Sequence, residues 1–416
     1  MRILFLAHLF PLPLDSGGKI KSYHTLKALA GAHEVRMVAF VRNDEEERLI
    51  PELQSICAGV DVVRLKRGRC RQVRDLLGSL VRGRSFIIDR DYRADMADAV
   101  RRAVGELRPD VVHVDHLQMA QYVDFGGAYR VVLDNHNVES MIIRRVAETS
   151  ESRAMRAHAR LEWPKLQRYE VETCGQCDLV LMVSEEDRAT LAGMLGLVQH
   201  GEGRKDVWDE GDGWDGCGKI ECVPIGVDVD HFTPVERAVG SRNILSIGTM
   251  YWPPNVDSML YFSREILPLV RERVPGCTLT IAGQRPVESI QALGRESGIT
   301  VTGYVDDERL IAKECGVFIV PLRSGSGVRV KILNALAMGL PVVSTSVGAE
   351  GLAVKSGEHL LIADGPREFA DAVVRVLGDA ELADRLGRSG RELVCERYSW
   401  QRVGDRLLDL YDRYLT

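Results

Sequence analysis

The sequence contains 416 residues, of which 45% are hydrophobic and 27% charged, and its formal net charge is −6. These fractions are typical of globular proteins and exclude a largely disordered chain. A chain of this length predicts roughly two domains, and its negative charge argues against a nucleic-acid partner.

The N-terminal run MRILFLAHLFPLPLD is apolar enough to be compared with a signal peptide. His8, Pro11 and Pro13 interrupt it, and no small-residue cleavage site follows, so it predicts a first buried strand instead. No uninterrupted apolar run reaches the length of about 18 residues that a membrane span needs. Nine cysteines without a secretory signal indicate free thiols in a reducing compartment. We therefore expect a cytoplasmic protein.

The cysteines contain one grouping that zinc could use, Cys174 and Cys177 followed by Cys217 and Cys222. The second pair is spaced too loosely for a zinc knuckle. Cys177 also precedes an apolar run in which it is expected to be a small buried residue. We expect no metal site.

Strands and helices alternate along the N-terminal half. Short apolar runs predict strands buried on both faces at 2–8, 34–41, 60–65, 111–114, 130–133, 179–183 and 220–224. Helical patterns lie at 19–30, 44–56, 93–107, within 152–174, and at 185–194. This alternation predicts a parallel sheet with helices on both faces.

The same alternation restarts after residues 231–234. Strands are predicted at 243–247, 278–282, 299–301, 317–321, 342–344 and 360–363, with helices between them. The chain is therefore predicted to be an α/β protein with two doubly wound parallel-sheet domains. Ligands of such folds bind at the carboxyl ends of the strands, so we expect a cleft between the two domains there.

Two stretches interrupt this pattern. Residues 198–218 are rich in glycine and acidic residues and predict an exposed insertion without assigned chemistry. Residues 64–84 carry eight basic side chains and one acidic one around apolar residues at helical spacing. That segment predicts either a helix that contacts an anionic membrane or acidic acceptor, or a core-facing helix with a solvated basic face.

The stretch 320–352 reads as strand, loop, helix and strand, and only its loop RSGSG at 323–327 lacks apolar periodicity. The helix is predicted to begin near residue 328, so its unpaired N–H groups and dipole favour an anion. Arg329 and Lys331 fall in the predicted first turn, where cations oppose the dipole unless a negative ligand offsets them. This pattern fits an anion-binding site, and it fits equally well a capped helix with two solvated basic residues.

A second glycine-containing loop lies near the N-terminus. Gly17 and Gly18 precede a predicted helix that begins with Lys19 and Lys21. Glycine lets backbone amides approach a phosphate closely. A single glycine pair is weak support for a phosphate site. Because each domain has one such loop, the two loops together predict a phosphate site that both of them face.

These motifs together resemble those of the GT-B fold glycosyltransferases of family 4, or group 1, which transfer sugars from nucleotide diphosphate donors with retention of configuration. The resemblance extends over nearly the whole chain and rests on the motifs DSGGKIKSYHTLKAL, DNHNVES, DLVLMVSEEDRATL, VPIGVDVDHFTP, SIGTMYWPPNVDSMLYF, LTIAG, VTGYVDD, SGSGVRVKILNALAMGLPVVST, VGAEGL and GEHLLIADGPREFADAV. It implies an acceptor domain at 1–232 plus the C-terminal helix 398–416, and a nucleotide-sugar donor domain at 233–397.

The resemblance also implies roles for individual residues. Contacts with the donor are expected from Gly17, Gly18, Gly248, Thr249, Tyr304, Val305, Ser324, Gly325, Ser326, Gly327 and Asn334. His136 is expected to face the transferred sugar or the acceptor, with Asp115 or His116 helping to position the acceptor. Without the resemblance, the position of His136 at a strand end favours a hydrogen-bonded core histidine. Residues 251–255 lack the basic pair that many relatives have, so Arg329 and Lys331 are expected to neutralise the diphosphate.

Two positions depart from the family pattern. The family usually has two glutamates eight positions apart, the first near the sugar and the second bound to the ribose hydroxyls, whereas this sequence has Ser326 and Asn334. Asparagine makes a neutral hydrogen bond that is weaker than a charge-assisted one by about 1 kcal/mol.

The sequence thus predicts a retaining glycosyltransferase that needs no metal and no cofactor beyond its nucleotide-sugar substrate. The acceptor is expected to be a glycan, a lipid-linked sugar or a small-molecule aglycone, with peripheral contact at the inner membrane face through 64–84 as an option. The alternatives are a non-catalytic or specialised sugar-nucleotide-binding relative and a GT-B sugar-nucleotide epimerase.

Overall fold

The computed structural model describes residues 1–65, 68, 78–79, 83–150, 152–196, 219–238, 240–325 and 327–416. The predicted insertion at 198–218, most of the basic segment at 64–84, Cys217 and Ser326 lie outside the described residues. The chain divides into two compact units, Met1–Pro224 with Gly404–Thr416, and Ile225–Val403.

The first unit is built on a parallel sheet of seven described strands in the order β3-β2-β1-β4-β5-β6-β7. Its strands are β1 (Arg2–Ala7), β2 (Glu34–Val41), β3 (Gly59–Arg64), β4 (Val111–Asp115), β5 (Arg130–Asn135), β6 (Leu179–Met182) and β7 (Lys219–Cys222). Its helices are α1 (Gly17–Ala32), α2 (Asp44–Arg48), α3 (Ile50–Gln54), α4 (Phe86–Asp89), α5 (Ala94–Leu107), α6 (Glu139–Thr149), α7 (Arg153–Gln176) and α8 (Glu185–Met194), with a 3-10 helix at Leu117–Tyr122.

The second unit contains a parallel sheet of six described strands in the order β10-β9-β8-β11-β12-β13. The strands are β8 (Asn243–Ile247), β9 (Thr278–Ala282), β10 (Ile299–Gly303), β11 (Cys315–Val320), β12 (Val342–Ser344) and β13 (Leu361–Ile362). The helices are α9 (Pro253–Tyr261), continued by a π-helical turn at Phe262–Ile266, α10 (Leu267–Arg273), α11 (Glu288–Leu293), α12 (Glu308–Ala312), α13 (Val330–Ala337), α14 (Ser346–Ala349), α15 (Pro366–Gly378) and α16 (Ala380–Arg397). Helix α17 (Trp400–Leu415) begins here and ends in the first unit.

The two units together give the two Rossmann-like parallel-sheet domains of a GT-B fold, as the sequence predicted. Most strands are apolar and buried on both faces because helices cover both sides of each sheet. Strand β3 is an exception: it was predicted to be buried, but it forms an edge of its sheet and is half-buried along most of its length. None of the helices in the described parts of the chain has the length and apolar character needed to cross a bilayer.

The strand orders locate the candidate sites. In the first sheet the order reverses between β1 and β4, and in the second between β8 and β11. At such switch points the loops after two neighbouring strands diverge to opposite faces and leave a crevice at the carboxyl edge. Each unit therefore has one preferred place for a ligand, defined by its own sheet.

The chain passes between the units a few residues away from the expected boundaries. Val227 pairs with Ser399 in an isolated bridge, and the Val227 N–H donates to the Tyr398 carbonyl at 2.7 Å. This pairing groups 225–232 and 398–403 with the second unit, whereas the sequence assigned both segments to the first.

Candidate functional site

The first cluster lies at the carboxyl ends of β4 and β5. Asp115 ends β4, and its carboxylate accepts hydrogen bonds from His116 Nδ1 at 3.1 Å, His136 Nε2 at 3.0 Å and the Ser22 hydroxyl at 2.7 Å. The two imidazole rings lie 3.8 Å apart between centroids. All four side chains are buried. The structure thus brings His136 together with Asp115 and His116, the two residues that the sequence suggested as its companions.

Helix α1 brings Gly18 onto this cluster. A Cβ atom at Gly18 would lie 3.7 Å from His116 Nε2 and 3.8 Å from His136 Nδ1, so the missing side chain leaves the rings approachable. The helix begins at Gly17, which corrects the expectation that the glycine pair lies in a loop ahead of it. The pair belongs to the first turn because Ser16 has the extended backbone of an N-cap residue.

The lysines of α1 are neutralised by carboxylates of this unit. Lys21 is fully buried and forms an ion pair with Asp134. The Nζ atom of Lys19 lies 3.2 Å from Oε1 of Glu46. Neither lysine is therefore placed as a simple phosphate counter-charge. The partner Asp134 was not predicted from the sequence, although it lies in the same DNHNVES motif as His136.

The charges within the first cluster follow from burial and from its neighbours. Burial, His116 and Lys21 together lower the pKa of His136 to about 4. Burial alone would raise the pKa of Asp115, but His116 and His136 hold it well below its ordinary value. Burial likewise opposes charge on His116, yet Asp115 raises its pKa. Near neutral pH the cluster therefore contains a carboxylate at Asp115 and a neutral ring at His136, while His116 keeps its proton to a higher pH than an ordinary histidine does.

The neutral ring of His136 has a defined tautomer. Its Nε2–H donates to the Asp115 carboxylate, which leaves Nδ1, the ring atom on the side of Gly18, as an acceptor. An acceptor nitrogen beside an open glycine can orient a hydroxyl group and accept its proton. Asp115, His116 and His136 also form a donor set whose ligand atoms lie within 4.8 Å of one another, although these atoms already bond to each other.

The second cluster lies at the carboxyl end of β8. Lys331, in the first turn of α13, donates to Asn255 Oδ1 at 2.9 Å, and Asn255 Nδ2 donates to the Thr249 carbonyl at 3.0 Å. A Cβ atom at Gly248 would lie 3.3 Å from Lys331 Nζ. Burial and the neighbouring Arg329 lower the pKa of Lys331 to about 8. The structure thus joins three predicted residues, Gly248, Thr249 and Lys331, through Asn255.

Lys331 has a neutral partner only. Among the described residues, no carboxylate lies within ion-pair distance of its ammonium group. Burying half of a cation without a neighbouring anion raises the free energy of the folded protein, and a bound anion would lower it again. The geometry beside Gly248 therefore favours a phosphate or a similar ligand.

Arg329 has a different placement from the one expected. Helix α13 begins at Val330 rather than near 328, so Arg329 occupies the N-cap position. Its guanidinium group donates to the Gly327 carbonyl and packs against Gly325. Gly325 and Gly327 have φ angles of 137° and 79°, which favour glycine. Arg329 therefore organises the loop, in which Ser324 is exposed.

A cavity of about 150 Å³ opens beside the second cluster. It is lined by Ile247, Gly248, Thr249, Ala282, Gly283, Gln284, Tyr304, Val305, Glu308 and Ile311. Tyr304 and Val305, which were expected to contact the donor, thus share one cavity with Gly248 and Thr249. Tyr304 is 69% exposed, so a planar group can stack on its ring. Asn334 lies on α13, and its side chain forms a hydrogen bond with Glu308, a residue for which the sequence predicted no role.

Comparison with known proteins gives a consistent result. Residues 241–379 match the family model described as Glycosyl transferases group 1. A GDP-mannose-dependent alpha-(1-6)-phosphatidylinositol monomannoside mannosyltransferase of Mycobacterium tuberculosis is 30% identical over 215 residues, 46% of this chain and 55% of the relative. A phosphatidyl-myo-inositol mannosyltransferase of Mycobacterium leprae is 29% identical over 204 residues, 47% of this chain and 54% of the relative. The chain spans about half the length of the curated relatives it matches.

Solved structures match over the full length. HepE of Anabaena in complex with UDP superposes with a TM-score of 0.65 at 12% identity, covering 99% of this chain and 100% of that one. Sucrose-phosphate synthase of Thermosynechococcus elongatus gives a TM-score of 0.67 at 16% identity and covers 99% of both chains. At these identities the likeness is one of fold.

Proposed function

We propose that this chain is a group 1 glycosyltransferase that transfers a sugar from a nucleotide diphosphate donor to an acceptor with retention of configuration. The match of residues 241–379 to the family model, the similarity to two mannosyltransferases and the GT-B fold of the structural neighbours support this proposal. The acceptor is a glycan, a lipid-linked sugar or a small-molecule aglycone. Neither a metal ion nor an organic cofactor takes part. For a lipid-linked acceptor, the proposal includes peripheral membrane contact through residues 64–84.

The observation that carries this proposal is the cationic site beside Gly248. Lys331 is an ammonium group without a carboxylate partner in the described parts of the chain, and it lies next to a glycine that gives access to it. The adjoining cavity shares Gly248 with that site. A ligand with a diphosphate at Lys331 and a nucleoside in the cavity satisfies both features.

The main requirement of the reaction is that the enzyme stabilises the leaving group. When the bond from the sugar to the diphosphate breaks, negative charge grows on the phosphate oxygens, and a fixed ammonium group stabilises that charge in advance. Lys331 is held by Asn255, which itself bonds to the Thr249 carbonyl. The cation is therefore preorganised, and it supplies the counter-charge that a metal ion provides elsewhere.

We assign acceptor binding to the first unit. His136 Nδ1 accepts a hydrogen bond from a second hydroxyl group of the acceptor and so positions the attacking one, while Asp115 fixes the ring through Nε2. No side chain is assigned as a covalent nucleophile. Retention then follows from attack on the face that the diphosphate leaves, with the departing phosphate taking up the hydroxyl proton.

The test begins with donor binding. Thermal shift with UDP, GDP and their sugars identifies the donor, because a ligand stabilises the folded state by mass action. The name of one relative makes GDP-mannose the first donor to examine, and a complex of HepE with UDP-glucose makes UDP-glucose the second. Absence of any stabilisation by nucleotide diphosphates would contradict the proposal.

Product analysis separates the alternatives. Transfer in the presence of a chelator, with the anomeric configuration of the product determined by NMR, is expected to show retention and metal independence. Conversion of the donor sugar without any acceptor would indicate an epimerase. Tight donor binding without nucleotide release, across all three acceptor classes, would indicate a non-catalytic binding protein.

A further inference from the structure

The cavity beside Gly248 contains a single charged side chain among the described residues that line it. That side chain is Glu308, the first residue of α12, and the other nine lining residues are apolar, glycine or neutral polar. A carboxylate in such a cavity has to be explained, because burial without a cation costs free energy.

Glu308 has one neutral hydrogen-bond partner. The side chain of Asn334 bonds to its carboxylate, and no lysine or arginine in the described residues lies within ion-pair distance of it. Burial accordingly raises the pKa of Glu308, and Asp307 adds to this effect, while the bond from Asn334 and the neighbouring His231 act in the opposite direction. A carboxylate has about four acceptor positions, so Glu308 can accept further hydrogen bonds from a ligand.

The position of Asn334 relates this carboxylate to the phosphate site. Lys331 and Asn334 are three residues apart on α13, a spacing that places side chains on one face of a helix with Cβ atoms about 5–6 Å apart. The carboxylate that Asn334 holds is therefore adjacent to the ammonium group that receives the diphosphate. In a nucleotide, the group joined directly to the phosphate is the ribose.

We infer that Glu308 binds the two ribose hydroxyls of the donor nucleotide, with Asn334 as the positioning residue that orients its carboxylate. Vicinal hydroxyls donate two hydrogen bonds to one carboxylate, and both bonds are charge-assisted. The chain would thereby select ribonucleotides over deoxyribonucleotides. This inference rests on the proposed function, because it assumes a nucleotide in the cavity.

The experiment compares a change in the protein with a change in the ligand. Isothermal titration measures the affinity of the wild type and of Glu308→Gln for UDP and GDP and for their 2′,3′-dideoxy counterparts. We expect Glu308→Gln to weaken the ribonucleotide by about tenfold, because a charge-assisted pair becomes neutral. The dideoxy nucleotide is expected to bind both proteins equally. Glu296→Gln, an exposed position of the same unit, serves as the matched control and should change neither affinity.

A positioning role for Asn334 predicts a smaller effect. Asn334→Ala should weaken the ribonucleotide by a few-fold and leave the dideoxy nucleotide unchanged. Because Asn334 acts through Glu308, the substitution Asn334→Ala should reduce the nucleotide affinity less in the Glu308→Gln variant than in the wild type. A full additional loss in the double variant would overturn the positioning role.

The remaining outcomes are distinct. If wild type binds the dideoxy and ribose forms equally well, the ribose inference is wrong even if the fold of Glu308→Gln is disturbed. If Glu308→Gln loses affinity equally for both forms of GDP but for neither form of UDP, Glu308 contacts the guanine base, and the ribose inference is again wrong. If no nucleotide diphosphate binds to wild type, the proposed function itself fails along with the inference.

Discussion

Lys331 is the residue whose protonation state should report most directly on ligand binding. Its pKa is lowered to about 8 from an ordinary value of 10.5, chiefly by burial, so part of the population loses the ammonium proton in mildly alkaline solution. A bound diphosphate favours the charged form. Binding above pH 8 must then be accompanied by proton uptake, and we expect nucleotide affinity to fall as the pH rises through about 8 toward 10.

Titration calorimetry in buffers of different ionisation enthalpy measures this proton uptake. Lys331→Arg retains the charge and should abolish the uptake, because arginine stays protonated throughout this range. Lys331→Ala should reduce the transfer rate by a factor of about 100 or more while leaving the melting temperature nearly unchanged. Turnover that survives this replacement with the correct donor would refute the assignment. Lys355→Ala, at an exposed lysine of the same unit, is the control.

His136 predicts a separate effect at acid pH. Its pKa is lowered to about 4, with burial as the largest cause, from an ordinary value of 6.5. The unfolded chain therefore binds a proton that the folded protein does not, and the free energy of unfolding falls as the pH decreases from 6.5 toward 4. The loss from this residue amounts to at most about 3 kcal/mol. Denaturant titrations across this range should show it.

His116 does not cancel this effect. Its pKa is raised in the folded state, so its contribution to stability is fully present below 6.5 and is lost only as the pH rises through the raised value. His136→Gln should therefore give a flatter dependence between pH 6.5 and 4 than wild type. His158→Gln, at an exposed histidine, should retain the wild-type slope, and identical slopes for all three proteins would exclude the assigned charge states.

The sequence identified several of these residues but not the bonds between them. Gly18 and Lys331 were predicted because each lies at the start of a recognisable helix, and His136 was predicted because it matches a histidine of the family. Their partners Ser22 and Asn255 are polar residues inside helical patterns, which carry no local signal of a long-range contact. Glu308 likewise reads as an ordinary helix-start acid until the fold places it beside Asn334.

At the scale of the elements, two glycines at strand and helix ends serve different purposes. Gly283 follows β9 with a φ of 147°, and a Cβ atom there would lie 1.6 Å from the Gly248 carbonyl oxygen. Gly283→Ala should therefore destabilise the second unit by about 3 kcal/mol or more. Chemical denaturation and the loss of nucleotide binding together measure this effect.

Gly18→Ala should behave in the opposite way. Gly18 lies within α1, where alanine is the better helix former, and the nearest contact of the added Cβ would be a flexible Leu9 methyl group at 3.1 Å. Stability should change by less than about 1 kcal/mol. The added methyl group fills the approach to His116 and His136, so transfer should decrease although nucleotide binding to the second unit persists. An unchanged rate would show that Gly18 does not border the acceptor.

The strands were predicted more accurately than the helix starts, for a physical reason. Strands of a doubly wound sheet are continuous apolar runs, and those at 34–41, 243–247, 278–282 and 342–344 match at both ends. Helix starts depend on backbone conformation. Glycines with positive φ and the bond from Arg329 to Gly327 delay α13 to Val330, and Pro51 opens a new helix within the single one predicted at 44–56.

At the scale of the whole molecule, the chain returns to its first unit at the end. Helix α17 leaves the second unit at Val403 and packs its remainder into the first. Tyr411 is fully buried there, and its hydroxyl bonds to His113 Nδ1 at 2.6 Å. The resemblance predicted a returning helix. It did not predict that His113 of strand β4 receives its hydrogen-bond partner from α17.

This dependence gives the final prediction. Burial lowers the pKa of His113 and keeps its ring neutral, so Tyr411→Phe leaves a buried ring nitrogen without its partner at a cost of about 1–3 kcal/mol. Hydrogen exchange followed by mass spectrometry should show faster exchange in β4 and β5, with β8 and β11 unchanged. Tyr414→Phe, which removes a half-buried bond to Glu221 at 2.6 Å, should have a smaller effect confined to β7. Faster exchange in both units after Tyr411→Phe would mean that they unfold together, and their separation into two compact bodies would then have no energetic counterpart.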